Sequence, residues 1–115
     1  MKIGETLYVA DRNAWRKWLI KNHNKKKEIW LIYYKKNSGK KRIPYDDAVE
    51  EALCFGWIDS IVKTIDTEKY AQKFTPRNRR SVWSKINVDR MKRMIKQGKM
   101  TEAGSAVFDE TRKEY

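Results

Sequence analysis

Apolar and polar positions alternate along this chain in short blocks, each closed by a glycine, a proline or a polar run. Thr6 to Val9 reads as a short strand. Asp11 follows, and its carboxylate can accept a hydrogen bond from an unpaired amide in the first turn of a helix predicted to run to about Asn22. Trp15, Trp18, Leu19 and Asn22 recur at helical spacing, which places both indoles on one face, as core residues. Glu28 to Lys35 contains IWLIYY, a continuous β-branched and aromatic run suited to a central strand covered on both faces. The basic segment KKNSGKKR, Lys35 to Arg42, then predicts a turn through Asn37, Ser38 and Gly39.

Pro44 opens a second helix, in which Tyr45, Ala48, Val49, Ala52 and Leu53 form an apolar stripe ended by Gly56. Trp57 to Ile65 and Tyr70 to Thr75 are strand-like runs separated by DTEK, so a hairpin is expected, with Pro76 ending it. After an Arg-rich loop, Asn87 is expected to cap a helix with Val88, Met91, Met94 and Ile95 inward and Gly98 closing it. Thr101 is expected to cap a last helix to about Glu114, diluted by Gly104 and Ser105. The punctuation marks no domain boundary and no repeat. The expected build is one domain over residues 1–115, of α+β class: a small, mostly antiparallel sheet from the 29–35 run and the 57–75 hairpin, packed by three or four helices.

Composition adds a charge problem. Lys and Arg number 27 against 15 Asp and Glu, a formal charge of +12. Self-repulsion of that size favours an anionic partner: nucleic acid, an acidic protein face, anionic lipid or a phosphorylated small molecule. The plainer reading is a Lys-rich surface that keeps the protein soluble. Cys54 is the only cysteine and His23 the only histidine, which excludes an internal disulfide and zinc sites built from Cys and His; no metal or cofactor is expected. The N-terminal residues lack the apolar run of a signal peptide, and no window has the roughly 18 apolar residues of a membrane span, so the expected location is cytoplasmic.

The charge is concentrated. Between Phe74 and Lys99 nine Lys and Arg stand against Asp89 alone, a sum of +8. An anion-binding set is expected here: Arg77, Arg79, Arg80 and Arg90 as forked donors, Ser84 and Asn87 as neutral donors, and Trp83 as a flat face for a base. The N-terminus of the following helix favours an anion at the same place. The structural alternative makes Trp83 a core anchor, the commoner state of an indole, Ser84 and Asn87 a cap, and the arginines partners of Asp46, Asp47, Glu50 and Glu51. Those four acids lie in the first turns of their helix, where its dipole accounts for them. Asp59, two residues after Trp57, and Asp66 are separate carboxylates without an identifiable partner nucleophile, so no catalytic residue is assigned. His23 fits the end of the first helix and Cys54 a buried inert thiol. The familiar nucleotide-binding, metalloprotease and hydrolase signatures are missing.

Two strings carry a resemblance: YDDAVEEALCFGWIDS at Tyr45 to Ser60 and KFTPRNRRSVWSKIN at Lys73 to Asn87, supported by AWRKWLIKNH and IWLIYYKKNSG. Together they resemble the bacteriocin-protection family, also labelled YdeI or OmpD-associated, over nearly the whole chain. The resemblance implies a part in bacterial stress or resistance to antimicrobial peptides and bacteriocins, with no reaction attached. Because like charges repel, a +12 chain would act there indirectly rather than by trapping cationic peptides. The expected function is a non-enzymatic binding module whose Arg and Trp face holds an anionic partner, nucleic acid first. The alternative is a small-molecule sensor or enzyme with a pocket near Trp57, Asp59, Arg77 and Trp83.

Overall fold

The computed structural model describes residues 2–113. Strand β1 (Thr6–Tyr8) leads into helix α1 (Arg12–Asn22), whose start is fixed by the Asp11 carboxylate accepting from the Ala14 amide at 2.9 Å. Strand β2 (Ile29–Tyr34) and a single 3₁₀ turn at Lys36–Ser38 follow, with Gly39 taking the left-handed conformation at φ 72°. Helix α2 (Tyr45–Cys54), strands β3 (Trp57–Thr64) and β4 (Lys69–Pro76), helix α3 (Lys85–Lys96) and a short α4 (Glu102–Ala106) complete the order.

The class is α+β, and the sheet is mixed. Its strand order is β1-β2-β4-β3, with β2/β4 and β3/β4 antiparallel and β1/β2 parallel. The expected sheet left out β1. That strand and β2 are joined through α1, and a helical crossover returns the chain in the same direction, which makes the pair parallel. The 57–75 hairpin is present, and a bulge between Asp59 and Val62 shifts its register.

Alternation along the strands gives the sheet two different faces. Ile29, Leu31 and Tyr33 of β2 sit on one side with Tyr70, Gln72 and Phe74 of β4, and there Trp15 and Leu19 of α1 and Ala48 and Ala52 of α2 close the main core. Trp15 and Trp18 stack with ring centroids 5.5 Å apart, as their spacing predicts. The Trp15 indole donates to the Ala48 carbonyl at 2.9 Å, which satisfies its one polar atom inside the core. A second cluster joins Val49 and Leu53 of α2 to Trp83, Val88 and Met91. Helix α2 is thus enclosed by the sheet, α1 and α3, and every residue from Ala48 to Cys54 is buried, Glu50 and Glu51 included.

Several expectations shift. Tyr45 and Ile95, placed on inner stripes, are exposed. Helix α3 is capped by Ser84, whose hydroxyl accepts from the Asn87 amide at 3.2 Å, so Asn87 lies within the first turn rather than before it. Helix α4 stops at Ala106, and Glu114 lies outside the described residues. Its start is nonetheless as read: Thr101 caps it and donates to the Cys54 carbonyl at the end of α2.

This seam between α2 and α4 is closely packed. A Cβ on Gly104 would stand 2.6 Å from both the Leu53 and Cys54 carbonyl oxygens and 2.5 Å from the Met100 sulfur. Backbone atoms cannot move aside as a side chain can. Gly104→Ala is therefore expected to destabilise the fold by about 1–3 kcal/mol, read as a lower urea midpoint with unchanged slope.

Candidate functional site

The charged residues fall into two populations, and the first is centred on the buried Glu50 and Glu51. Glu51, fully buried, accepts from Arg12 Nε at 2.7 Å, from Arg16 at 2.9 Å and from the Lys99 ammonium. Glu50 accepts from Arg12 at 3.0 Å and from Arg93 at 3.1 Å. Asp47 binds Arg12 at 3.0 Å, and Asp46 binds Arg90 at 2.6 Å. The acidic face of α2 is in this way clamped by guanidinium groups from α1 and α3. Burial alone would raise the Glu51 carboxyl, but hydrogen bonds from Lys99, Arg16 and Arg12 outweigh it and hold the group below the usual carboxylate range. Arg16 also faces the buried Cys54 thiol, which burial pushes up despite that neighbour.

The clamp divides the expected anion-binding set. Arg90 is buried, and besides Asp46 it donates to the Asn87 side chain at 2.9 Å. Ser84 is spent on its cap. Trp83 is fully buried: the Arg77 guanidinium lies 3.9 Å from its ring centroid, and Phe108 meets it edge-on at 4.9 Å. The indole is therefore a core anchor and offers no open face for a base. Arg77 also donates to the Val82 carbonyl, so it closes the loop over Trp83. Arg93, Lys99, Lys85 and Lys92 each meet a carboxylate as well.

What remains open on this segment is the tip of the loop. Arg79 and Arg80 are exposed, and among the described residues neither lies within ion-pair distance of a carboxylate; the same holds for Lys96 on α3. Arg79 reaches the Ala106 carbonyl at 3.4 Å and adds to the field that, with hydrogen bonds from Thr111, keeps the Asp109 carboxyl low.

Of the four residues of the alternative pocket, Arg77 and Trp83 stack on each other, but Trp57 and Asp59 do not join them around a cavity. Trp57 belongs to the main core, edge-on to Trp18 at 5.7 Å, whereas Trp83 belongs to the second cluster. Asp59 accepts from the Tyr45 hydroxyl at 2.8 Å and the Gln72 amide at 3.1 Å, and Gln72 in turn accepts from the buried Tyr33 hydroxyl at 3.0 Å. Burial and then the Asp59 carboxylate push the Tyr45 phenol up to about 12. The group is a structural hydrogen-bond chain tying α2 to the sheet, and the described residues enclose no pocket around it.

The second surface was not singled out in the sequence. On the side of the sheet away from α1 and α2 lie Tyr8, Trp30, Ile32, Tyr34 and Ala71, and the cluster formed by Trp30, Ile32, Ala71, Ile3 and Tyr34 contains no helix residue. Trp30 is covered by Ile3 and the backbone at Gly4, where a Cβ would meet the Glu28 carboxylate at 2.7 Å. Tyr8 and Tyr34 meet edge to face at 5.0 Å, and the ammonium groups of Lys40 and Lys69 lie 4.6 and 5.6 Å from the Tyr34 ring centroid. Lys73 lies 5.9 Å from Trp30. The only signal in the sequence is the alternation Trp30, Ile32, Tyr34 inside a run that is apolar at every position.

No described helix is long and apolar enough to cross a membrane, and no three His, Cys, Asp or Glu side chains among the described residues stand together as metal ligands. No curated protein and no solved structure matches the chain. A family model described as a domain of unknown function, DUF8412, matches residues 7–107, and the chain belongs to that family.

Proposed function

We propose that the protein is a non-enzymatic binding module for a polyanion, nucleic acid first, acting in the cytoplasm. One observation carries this reading. Glu50 and Glu51 of α2 are buried and, with Asp46 and Asp47, are tied to Arg12, Arg16, Arg90, Arg93 and Lys99, while the exposed Arg79, Arg80 and Lys96 lie beyond ion-pair distance of any carboxylate among the described residues. Arg79 and Arg80 project from the 77–82 loop, and Lys36, Lys40 and Lys41 project from the connection after β2. Such a surface recruits phosphates by counterion release, which is independent of sequence and needs no concave site. The resemblance to the bacteriocin-protection family supplies a setting for this activity, namely stress or peptide resistance exerted through an anionic cell component.

Replacing Arg79 and Arg80 together by Ala tests the loop. The fold should be unaffected, because neither side chain is buried. Each lost phosphate contact lowers the slope of log affinity against log salt by roughly 0.7–0.9, so the double variant should lose up to about 2 from that slope. A slope identical to the parent's removes the loop from the binding surface.

A further inference from the structure

The outer sheet face combines three features that no helix obscures: an exposed ring, ammonium groups gathered beside it, and a flat backbone platform beneath. Tyr8 on the edge strand β1 is 44% exposed, and its hydroxyl is anchored on the Lys41 carbonyl, which fixes the ring rather than leaving it to rotate. Tyr34 stands against it edge-on, and Lys40 from the following loop and Lys69 from β4 converge on Tyr34. Lys73 continues the basic line along β4, four residues on and on the same side. Glu28 and Asp66 pair with Lys73 and Lys69, and the exposed Lys40 and Lys41 of the loop after β2 add to the positive charge of the face.

Resting on the polyanion reading above, we infer that this face binds single-stranded nucleic acid, with a base stacked on Tyr8 and the adjoining phosphates held by Lys40, Lys41 and Lys69. A duplex hides the faces of its bases, so it can use the lysines and not the ring. An unpaired strand can use both, because every base presents a π-face and the stacking is tolerant of sequence. An acidic protein would share the attraction of the lysines but would give no preference for an unpaired strand over a duplex, which is the comparison the test makes.

The test is fluorescence anisotropy with a short labelled oligothymidine and a duplex of equal length, on the parent, Tyr8→Leu, Tyr8→Phe and the Arg79/Arg80 double variant. The parent should prefer the single strand. Tyr8→Leu should weaken single-strand binding by about 5-fold to 100-fold, the range expected for one lost stack, while leaving duplex binding and the salt slope unchanged. Tyr8→Phe keeps the ring but loses its anchor on Lys41, so its binding should fall less than that of Tyr8→Leu, and thermal melts of both variants like the parent's separate a lost stack from misfolding. Equal affinity for the two oligonucleotides, or single-strand binding indifferent to Tyr8→Leu, overturns the inference while leaving the polyanion reading intact. Absence of binding to either oligonucleotide at low salt overturns both.

Discussion

Glu51→Gln is expected to lower the unfolding free energy by about 3–5 kcal/mol, the usual penalty for removing one member of a buried ion pair. The reason is the company Glu51 keeps. Its carboxylate is fully buried and answers Arg12, Arg16 and Lys99 at once, and a neutral amide would leave those cations facing one another behind α2. Burial costs a carboxylate its hydration, so the site is stable only while all the donors are in place. The pH dependence has a definite sign. Because the folded carboxyl lies below its ordinary value, its contribution is fully present above the unfolded value of about 4.3 and is lost as pH falls through the folded one. Urea titrations at neutral and acid pH should show the parent converging on Glu51→Gln as the acid limit is approached. Equal stability of the two proteins at neutral pH would mean that the clamp does not hold α2.

The second large effect concerns the residue that the sequence offers as a stacking platform. Trp83→Ala should cost about 3–5 kcal/mol of stability, the range for deleting a large buried aromatic side chain. Trp83 packs with Val49, Leu53, Val88 and Met91, and its backbone amide donates to the Arg112 carbonyl, so the cavity would open where α2, α3 and the C-terminal segment meet. A milder Trp83→Phe is expected to keep nucleic-acid affinity. Its indole nitrogen has no hydrogen-bond partner among the described residues, so only volume is lost. A Trp83→Ala protein that melts like the parent but loses oligonucleotide binding would return the indole to the surface.

Local chemistry made much of the fold readable. Asp11, Thr101, Gly39, Gly56 and Gly98 each stand where a cap or a left-handed turn needs them, and the structure uses all five. The parallel pairing of β1 with β2 was not readable, because it depends on where a crossover helix lands rather than on any residue type. The pairing of Asp46 with Arg90 and of Glu50 with Arg93 follows the structural alternative read from the sequence, but the convergence of Arg12 and Arg16 from α1 on Glu50 and Glu51 was hidden for a related reason. The helix dipole alone accounts for acids in a first turn, and nothing local shows that α1 will bring arginines to them as well. Long-range ion pairs leave no spacing signature.

The same limit explains the candidate site. A sum of +8 over Phe74 to Lys99 treats charges as if they shared one face, yet α3 directs Arg90 and Arg93 to α2 and leaves Arg79 and Arg80 at the loop tip. The run IWLIYY reads as a strand with a layer on each side, and β2 is indeed buried on both. Its outer cover, however, consists of Ile3, the Gly4 backbone and the side chains of Lys73, Lys69 and Lys40 rather than a helix. Long lysine stems can shield apolar surface while their heads stay in water, so a buried strand face and a basic surface become the same place.

The most direct measurement is the affinity of the intact protein for a labelled single-stranded oligonucleotide as salt is raised from about 50 to 200 mM. With Glu50 and Glu51 buried and Arg79, Arg80, Lys40 and Lys41 exposed, dissociation constants should lie at roughly 10⁻⁴ to 10⁻⁶ M near physiological salt and weaken steeply across the series. An affinity that stays constant across the series, or no binding even at the lowest salt, would contradict an outward-facing cationic surface that recruits phosphates.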